Sequence, residues 1–267
     1  MSVILDRSEF FTLMALLRAT DVFGLEASAL LPAEPAALQA LYDEGRERLL
    51  ARDLIRRTTS GEVALELGLR DLMTTIVDPD QAVLAARHLP GRGRQIFLFY
   101  GRGGSFVEQT LADGNTHHVT QLGDVEALVE HLLGIFPVSA LPFVPESFTT
   151  TAVALRAAFQ QVEVGQTEAA RRLLEAAPTS DATLGGYMAV LFGSAVFNGN
   201  LTFVRPTPGG VAQSLDLSLV QAPDEAWAIT PTDDPAVLRA ERMNAAVLRA
   251  TLRRLIASAR QPVRATM

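Results

Sequence analysis

The chain has 267 residues, of which 48% are apolar, and this is enough to bury a core without metal or disulfide staples. It contains no cysteine, which excludes disulfides and thiolate chemistry. The net charge of −7 disfavours a general attraction to nucleic acid or to anionic membrane surfaces.

The N-terminal segment from Met1 to Arg18 carries Asp6, Arg7 and Glu9 before any apolar stretch. It therefore lacks the basic start, the apolar centre and the cleavage site of a signal peptide. No apolar run reaches the roughly 18 to 20 residues of a transmembrane helix. We therefore expect a cytoplasmic protein with no membrane partner.

The first part of the chain has the apolar spacing of helices, with Asp6 or Ser8 as the first cap and Pro35 in a first helical turn. From Gln81 the period changes to two, which is typical of strands. Asp113-Gly114-Asn115 predicts a hairpin tip, and Asp124 predicts a helix cap. The expected elements are helices at 5–19, 35–54, 67–76 and 125–136, and strands at 62–65, 82–88, 94–100, 106–111 and 116–122.

A proline-containing linker follows the helix at 125–136, and a second series of elements begins after it. The segment after Asp181 predicts either a helix or, at 187–197, a strand, because Gly185-Gly186 disfavours a helix. Asn198-Gly199 predicts a second hairpin. The other expected elements are helices at 151–164, 166–176 and 235–258, and strands at 201–204, 211–220 and 226–230.

The order of elements is similar in the two parts of the chain: helices, an antiparallel meander with a glycine-containing hairpin, then an acid-capped helix. The sequence therefore predicts an α+β fold, a single unit of two quasi-symmetric halves at 1–137 and 138–267, each an antiparallel meander with packed helices. Coincidence in the element order is the alternative.

No motif for catalysis or metal binding is found. His117 and His118 are adjacent on a predicted strand and so point to opposite faces. The glycine-rich stretches 90–94 and 100–105 lack the lysine of a phosphate-binding loop, and no serine, histidine and acid have the spacing of a triad. We expect no catalytic residues, no metal, no cofactor and no small-molecule substrate, and hence a non-catalytic protein that binds another protein.

Short motifs distributed over the whole chain resemble those of one known family. They are Leu30-Leu31-Pro32 after the first helix, 47–55 with Asp53 where glycine is usual, Val77-Asp78-Pro79 before the first meander, 91–122 as that meander, 133–137 as a helix exit, Asn198-Gly199, and the tryptophan-to-proline run 226–231. Because these motifs follow one another in the order of the family, the chain resembles the EspG family, the cytosolic chaperones of mycobacterial type VII (ESX) secretion systems.

The resemblance implies a chaperone that shields a hydrophobic segment of a secreted substrate, a PE/PPE-like protein or another ESX client, before export. It also implies that the loop 101–106 and the terminal helix contact this partner. The partner-binding residues expected on this basis are Arg102, Phe106, Trp227, Met243 and Val247. The ordinary alternative is that Phe106, Trp227, Met243 and Val247 are core residues and that Arg102 is merely solvated.

A rival interpretation is a winged-helix DNA-binding regulator. The segment 35–67 would supply the helix and, at 58–63, the wing. Five arginines lie nearby and could contact phosphates locally despite the acidic total. They are Arg46, Arg48, Arg52, Arg56 and Arg57.

Overall fold

The computed structural model describes residues 1–19, 21–25, 32–59, 61–111, 115–139, 143–207 and 210–260, and within these ranges the chain forms twelve strands and eight helices. The strands are β1 (Ser2–Asp6), β2 (Ile55–Arg57), β3 (Val63–Leu65), β4 (Gln81–Leu89), β5 (Gly93–Arg102), β6 (Ser105–Leu111), β7 (Thr116–Gly123), β8 (Ser147–Thr151), β9 (Phe197–Thr207), β10 (Gly210–Gln221), β11 (Ala226–Pro231) and β12 (Val237–Met243). The helices are α1 (Arg7–Leu16), α2 (Pro35–Ala51), α3 (Leu67–Val77), α4 (Val125–Ile135), α5 (Ala152–Glu163), α6 (Thr167–Ala176), α7 (Ala182–Ser194) and α8 (Ala245–Arg260).

Ten of the strands form one antiparallel sheet in the order β1-β7-β6-β5-β4-β9-β10-β11-β12-β8, and β2 pairs with β3 separately. The centre of the sheet is the pair β4 and β9, where Leu84 lies opposite Thr202. Outward from this pair, the same arrangement of a meander and an edge strand occurs on both sides. The prediction of an α+β unit with two quasi-symmetric halves is therefore confirmed, whereas the division at residue 137 itself stays a prediction.

Helix caps occupy equivalent places in the two halves. After each edge strand, the last residue caps the next helix: Asp6 accepts the Glu9 N–H at 2.9 Å, and Thr151 accepts the Ala154 N–H at 3.2 Å. After the fourth meander strand of each half, Asp124 and Asn244 cap α4 and α8 in the same way. Each cap satisfies a backbone donor that the first helical turn leaves unpaired. The change from strand to helix therefore occurs at equivalent positions in the two halves.

The two faces of the sheet are covered differently. Helices α4 and α8 lie together on one face, over a core formed by residues of both halves such as Phe99, Phe203, Leu132 and Leu252. On the other face, α1 to α3 form an N-terminal lobe, and α5 to α7 form a C-terminal lobe, each with its own apolar cluster. The sheet is therefore a middle layer between one helix pair and two helical lobes.

The first meander, the helices at its ends and the caps Asp6 and Asp124 are confirmed. Strands β1, β2, β8 and β12 were not predicted, and two expectations about turns and helices are wrong. The first is the Asn198-Gly199 hairpin, because both residues lie inside β9. The second is the start of the helix expected at 235–258, because Val237–Met243 pair with β11 and β8 as strand β12 and the helix begins at Ala245.

The segment after Asp181 is helix α7, so the alternative of a strand at 187–197 is wrong. The tip residues Asp113 and Gly114 and the motif residues Leu30 and Leu31 lie outside the described residues, although the strands on both sides of the 113–114 tip pair as predicted. No described helix combines the length and the apolar character needed to span a membrane.

Candidate partner-binding groove

Three of the five expected partner-binding residues lie in the core. Phe106, Trp227 and Met243 are 0%, 1% and 5% exposed, respectively. Phe106 and Met243 pack in the cluster under α4 and α8, and Trp227 packs in the cluster of the C-terminal lobe. Their side chains are buried, as the ordinary alternative of a core position expects, and a contact with a partner at these residues stays a prediction.

Arg102 lies at the end of a tight hairpin between β5 and β6. Gly103 and Gly104 both have positive φ, as a two-residue turn of this kind requires. Arg102 forms an ion pair with Asp78 at 3.0 Å, and the Gly103 N–H donates to Asp80 at 2.8 Å. The loop is therefore a fixed hairpin end with a half-exposed cation that already has a partner.

Val247 on α8 is 40% exposed and lines a shallow hollow of about 340 Å³ between α8 and the C-terminal end of the sheet. Met243, Thr251 and Arg254 line the same hollow. Of the five expected residues, Val247 and Arg102 are substantially exposed, and Met243 reaches the hollow with a side chain that is 5% exposed.

A groove with a volume of about 660 Å³ lies between the C-terminal lobe and the centre of the sheet. Its apolar wall comes mainly from Leu155 and Phe159 of α5 and Phe192 of α7. Its floor comes from β9 and β10, where Asn200 and Ser218 line it. The groove is thus apolar on the helical side and polar on the sheet side.

The polar floor has a hydrogen-bond network of its own. Ser218 Oγ donates to Asn200 Oδ1 at 3.1 Å, and Thr202 Oγ1 donates to Asp216 at 2.7 Å. The Asn200 amide nitrogen makes only a 3.4 Å contact with Thr202, and Asn198 Oδ1 is buried and accepts no hydrogen bond from a described residue. An unsatisfied buried acceptor costs about 1 to 3 kcal/mol, so this floor has capacity for further polar contacts.

The charged residues that line the groove are not neutralised by the chain itself. Arg94, Arg156, Glu163 and Asp216 line it, and none of the four forms an ion pair with a described residue. Elsewhere most arginines of the helices are paired, as Arg249 is with Glu130 at 2.9 Å. Unpaired charges of both signs around an apolar wall are suited to electrostatic selection of a partner.

The sequence carries a signal for this groove in strand β9. Asn198, Asn200 and Thr202 alternate with Phe197, Leu201 and Phe203 along β9. Alternation in a central strand means that one face of the sheet is polar at its centre, where a fully covered sheet would be apolar. The glycine after Asn198 suggested a turn instead, and the strand was predicted too short to contain the pattern.

The arginines of the DNA-binding alternative are mostly neutralised. A two-stranded hairpin of β2 and β3 does occupy the place of the wing, and Arg56 and Arg57 are exposed on it. The other three arginines pair with carboxylates of this chain, which removes most of their attraction for phosphate. The pairs are Arg46 with Asp43 at 3.3 Å, Arg48 with Glu44 at 2.6 Å, and Arg52 with Glu9 at 2.7 Å.

The histidines take structural positions. His117 is buried and stacks on Phe10 with ring centroids 4.0 Å apart, while His118 is half-buried on the opposite face of β7, as predicted. His131 lies 3.1 Å from Glu108, and this hydrogen bond raises the pKa of His131. Within the described part of the chain, no three histidine, aspartate or glutamate side chains converge as a metal site would require.

No protein-family model and no curated protein matches the sequence. Among solved structures, the chain matches that of the Mycobacterium tuberculosis type VII secretion system chaperone EspG5 in complex with a PE25–PPE41 dimer. The match has a TM-score of 0.63 and covers 98% of each chain at 12% sequence identity. The chain has the EspG5 fold.

The likeness to EspG5 covers nearly the whole of both chains, so it includes both halves and both lobes. At 12% identity it supports the resemblance found in the sequence at the level of the fold. EspG5 is a chaperone whose solved complex contains two other proteins.

Proposed function

We propose that this protein is a non-catalytic chaperone or adaptor that binds a substrate of a type VII secretion system, a PE–PPE-like pair or a comparable client, and shields an apolar segment of it in the groove. The observation that carries the proposal is an apolar wall beside a polar floor with unpaired charges, in a chain that has the fold of a chaperone solved with a PE–PPE dimer. A cytoplasmic location belongs to the same proposal.

The physical basis is the composition of the groove. Leu155, Phe159 and Leu238 offer apolar surface to a client side chain, and burying such a side chain contributes roughly 1.5 to 3 kcal/mol. The polar floor and the rim charges then fix the orientation of the client and disfavour segments that cannot satisfy them. A segment that aggregates in water is thereby held against a surface that replaces the water around it.

The test is co-expression of the full chain with the PE–PPE pair encoded in its own genome, followed by size-exclusion chromatography and calorimetry. We expect a stable stoichiometric complex. The variant Ser218→Trp places a large ring on the groove floor and should weaken binding by at least about tenfold, since it fills the space that the client needs.

Ser214→Trp is the matched control, because Ser214 is an exposed serine on the same strand that does not line the groove. It should bind within about threefold of the wild type. Equal affinities of S218W and the wild type, with both proteins folded, would exclude the groove. Failure to recover any complex with the wild-type chain would overturn the function itself.

Arg102 and Val247 stay in the proposal as separate contacts implied by the resemblance. The variants Arg102→Glu and Val247→Arg in the same assay test each of them independently of the groove. Both residues are partly exposed, so neither change should prevent folding.

A further inference from the structure

The ten-stranded sheet has two edges, which are equivalent by the internal symmetry of the chain. Strand β1 forms one edge and β8 forms the other. Asp6 and Thr151 end these strands and cap the helices that follow, so Ile4 and Thr149, each two residues before the cap, are equivalent positions. The backbone groups that an edge strand turns outward are those with which another strand can pair.

At the β8 edge, both outward groups of Thr149 are used within the chain. The Thr149 N–H donates to Ser180 Oγ at 2.8 Å, and the Ser180 N–H donates to the Thr149 carbonyl oxygen at 3.1 Å. An incoming strand would find neither a donor nor an acceptor at this position. The middle of β8 is therefore closed to pairing.

At the β1 edge, only one of the two outward groups is used. The Gln121 N–H donates to the Met1 carbonyl oxygen at 2.9 Å, and bonded and non-bonded positions alternate along an antiparallel pair, so Ser2 and Ile4 turn their backbone groups outward. The Ile4 carbonyl oxygen accepts a hydrogen bond from Arg52 Nη2 at 3.0 Å. The Ile4 N–H makes no hydrogen bond with any residue that the structure describes. The middle of β1 is thus half open.

Arg52 is held on this edge by a buried carboxylate. Arg52 Nη1 lies 2.7 Å from both carboxylate oxygens of Glu9. Glu9 also accepts the N–H of Asp6, the next outward donor of β1, at 3.0 Å. Glu9 therefore closes the end of the edge itself and fixes the cation that covers the Ile4 carbonyl oxygen.

The side chains along this edge are apolar and uncharged. Ile4 and Met1 are half exposed, and Leu67 at the start of α3 is exposed. Met1 lies against the same end of α3, because its Sδ would be 2.7 Å from a Cβ on Gly68. The strand has no charged residue before Asp6, so a second copy of it meets no repulsion between like charges.

We propose that β1 is a pairing surface for a second copy of this chain, and that Arg52 and Glu9 form a latch that keeps it closed. In antiparallel pairing about a twofold axis at Ile4, the Ile4 N–H of each copy donates to the Ile4 carbonyl oxygen of the other. Arg52 covers this oxygen, so pairing requires its displacement in both copies. The inference does not rest on the proposed function, since the groove floor of β9 and β10 lies away from this edge.

Arg52→Lys opens the latch with little damage to the core. Lysine keeps a cation for Glu9, which an alanine would leave buried without a partner, but its single ammonium group lacks the second arm that reaches the Ile4 carbonyl oxygen. Sedimentation velocity over a range of concentrations measures association. We expect R52K to dimerise with a dissociation constant at least about tenfold lower than that of the wild type. Arg52→Gln is measured alongside, so that the test does not depend on the folding of one variant.

A second substitution locates the interface. Adding Ile4→Lys to R52K should return association to the level of the wild type, because two lysines then face each other across the twofold axis. Val153→Lys in R52K is the matched control, since Val153 is an exposed valine of α5 that lies on neither edge strand, and this variant should dimerise as R52K does. Association of R52K no tighter than that of the wild type, or dimers that survive Ile4→Lys, overturns the inference.

Amide exchange followed by NMR tests the half-open edge in the wild type itself. The Ile4 N–H should exchange at least about tenfold faster than the Thr149 N–H, which is bonded to Ser180. In the R52K dimer the Ile4 N–H should become protected. Equal protection of the two amides in the wild type, or an Ile4 N–H that stays unprotected in the dimer, overturns the inference.

Discussion

The indole Nε1 of Trp227 donates to a carboxylate oxygen of Glu225 at 3.1 Å, and both residues are buried. Glu225 also accepts a hydrogen bond from the Tyr187 hydroxyl and pairs with Arg242 at 3.2 Å. Because one buried carboxylate joins a helix of the C-terminal lobe to two strands, the tryptophan belongs to a structural network.

Glu225→Ala should destabilise the protein by roughly 2 to 4 kcal/mol, since it removes the acceptor of the Trp227 and Tyr187 hydrogen bonds and the carboxylate that forms an ion pair with Arg242. The measurement is urea denaturation. The matched control is Glu241→Ala, because Glu241 pairs with Arg239 at 2.7 Å with both side chains about half exposed, and this change should cost at most about 1 kcal/mol. Similar losses for the two variants would contradict the network.

Two helical glycines should respond to alanine with opposite signs. A Cβ on Gly45 of α2 would lie 2.1 Å from the Ser8 carbonyl oxygen of α1, so Gly45→Ala should separate the two helices and cost roughly 3 kcal/mol or more. A Cβ on Gly134 of α4 would meet nothing within 4 Å, so Gly134→Ala should stabilise by about 0.5 to 1 kcal/mol. Thermal melting of both variants checks this, and a shift of the same sign in both would refute the contact.

His131 should make stability depend on pH. The hydrogen bond to Glu108 raises the pKa of His131 above its ordinary value of 6.5, so the folded state holds the proton more tightly than the unfolded state. The resulting stability is fully present below the ordinary value and is lost as pH rises through the raised pKa. The difference in unfolding free energy between wild type and His131→Gln should therefore be larger at about pH 5 than at about pH 9.

The variant Glu108→Gln removes the charge that holds the proton and should return the pKa of His131 toward its ordinary range. Histidine proton shifts followed by NMR give the pKa in both proteins. His88→Gln, at an exposed position, controls for the loss of an imidazole. An unchanged pKa of His131 in the Glu108 variant would show that the hydrogen bond is not its cause.

The sequence predicts the elements of this fold best where local chemistry decides them. Asp6 and Asp124 cap helices that were expected, because a carboxylate followed by an amphipathic stretch has few other uses. Where tertiary contacts decide, the prediction fails. Gly199 does not form a turn, because its missing side chain makes room for the Phe136 ring, which would lie 2.4 Å from a Cβ.

Strand β12 shows the same limit. Strong helix formers, Arg239, Ala240, Glu241 and Arg242, lie between Leu238 and Met243, yet Val237–Met243 pair on both sides with β11 and β8. The gain from completing the sheet exceeds the local preference. Burial is just as hard to predict, since a large apolar residue such as Trp227, which is buried here, is equally suited by its sequence to a core and to an interface.

Gly24→Ala should destabilise the protein more than the same change at Gly165, a second glycine with positive φ. Both positions have φ near +80° and carry the strain of a left-handed residue, about 1 to 2 kcal/mol. A Cβ on Gly165 would meet nothing within 4 Å, whereas a Cβ on Gly24 would come within 2.6 Å of Leu98. Gly24→Ala should therefore lower the free energy of unfolding by roughly 1 kcal/mol or more beyond the loss at Gly165. Urea denaturation measures the difference. Equal losses would mean that the chain at Gly24 does not press on β5.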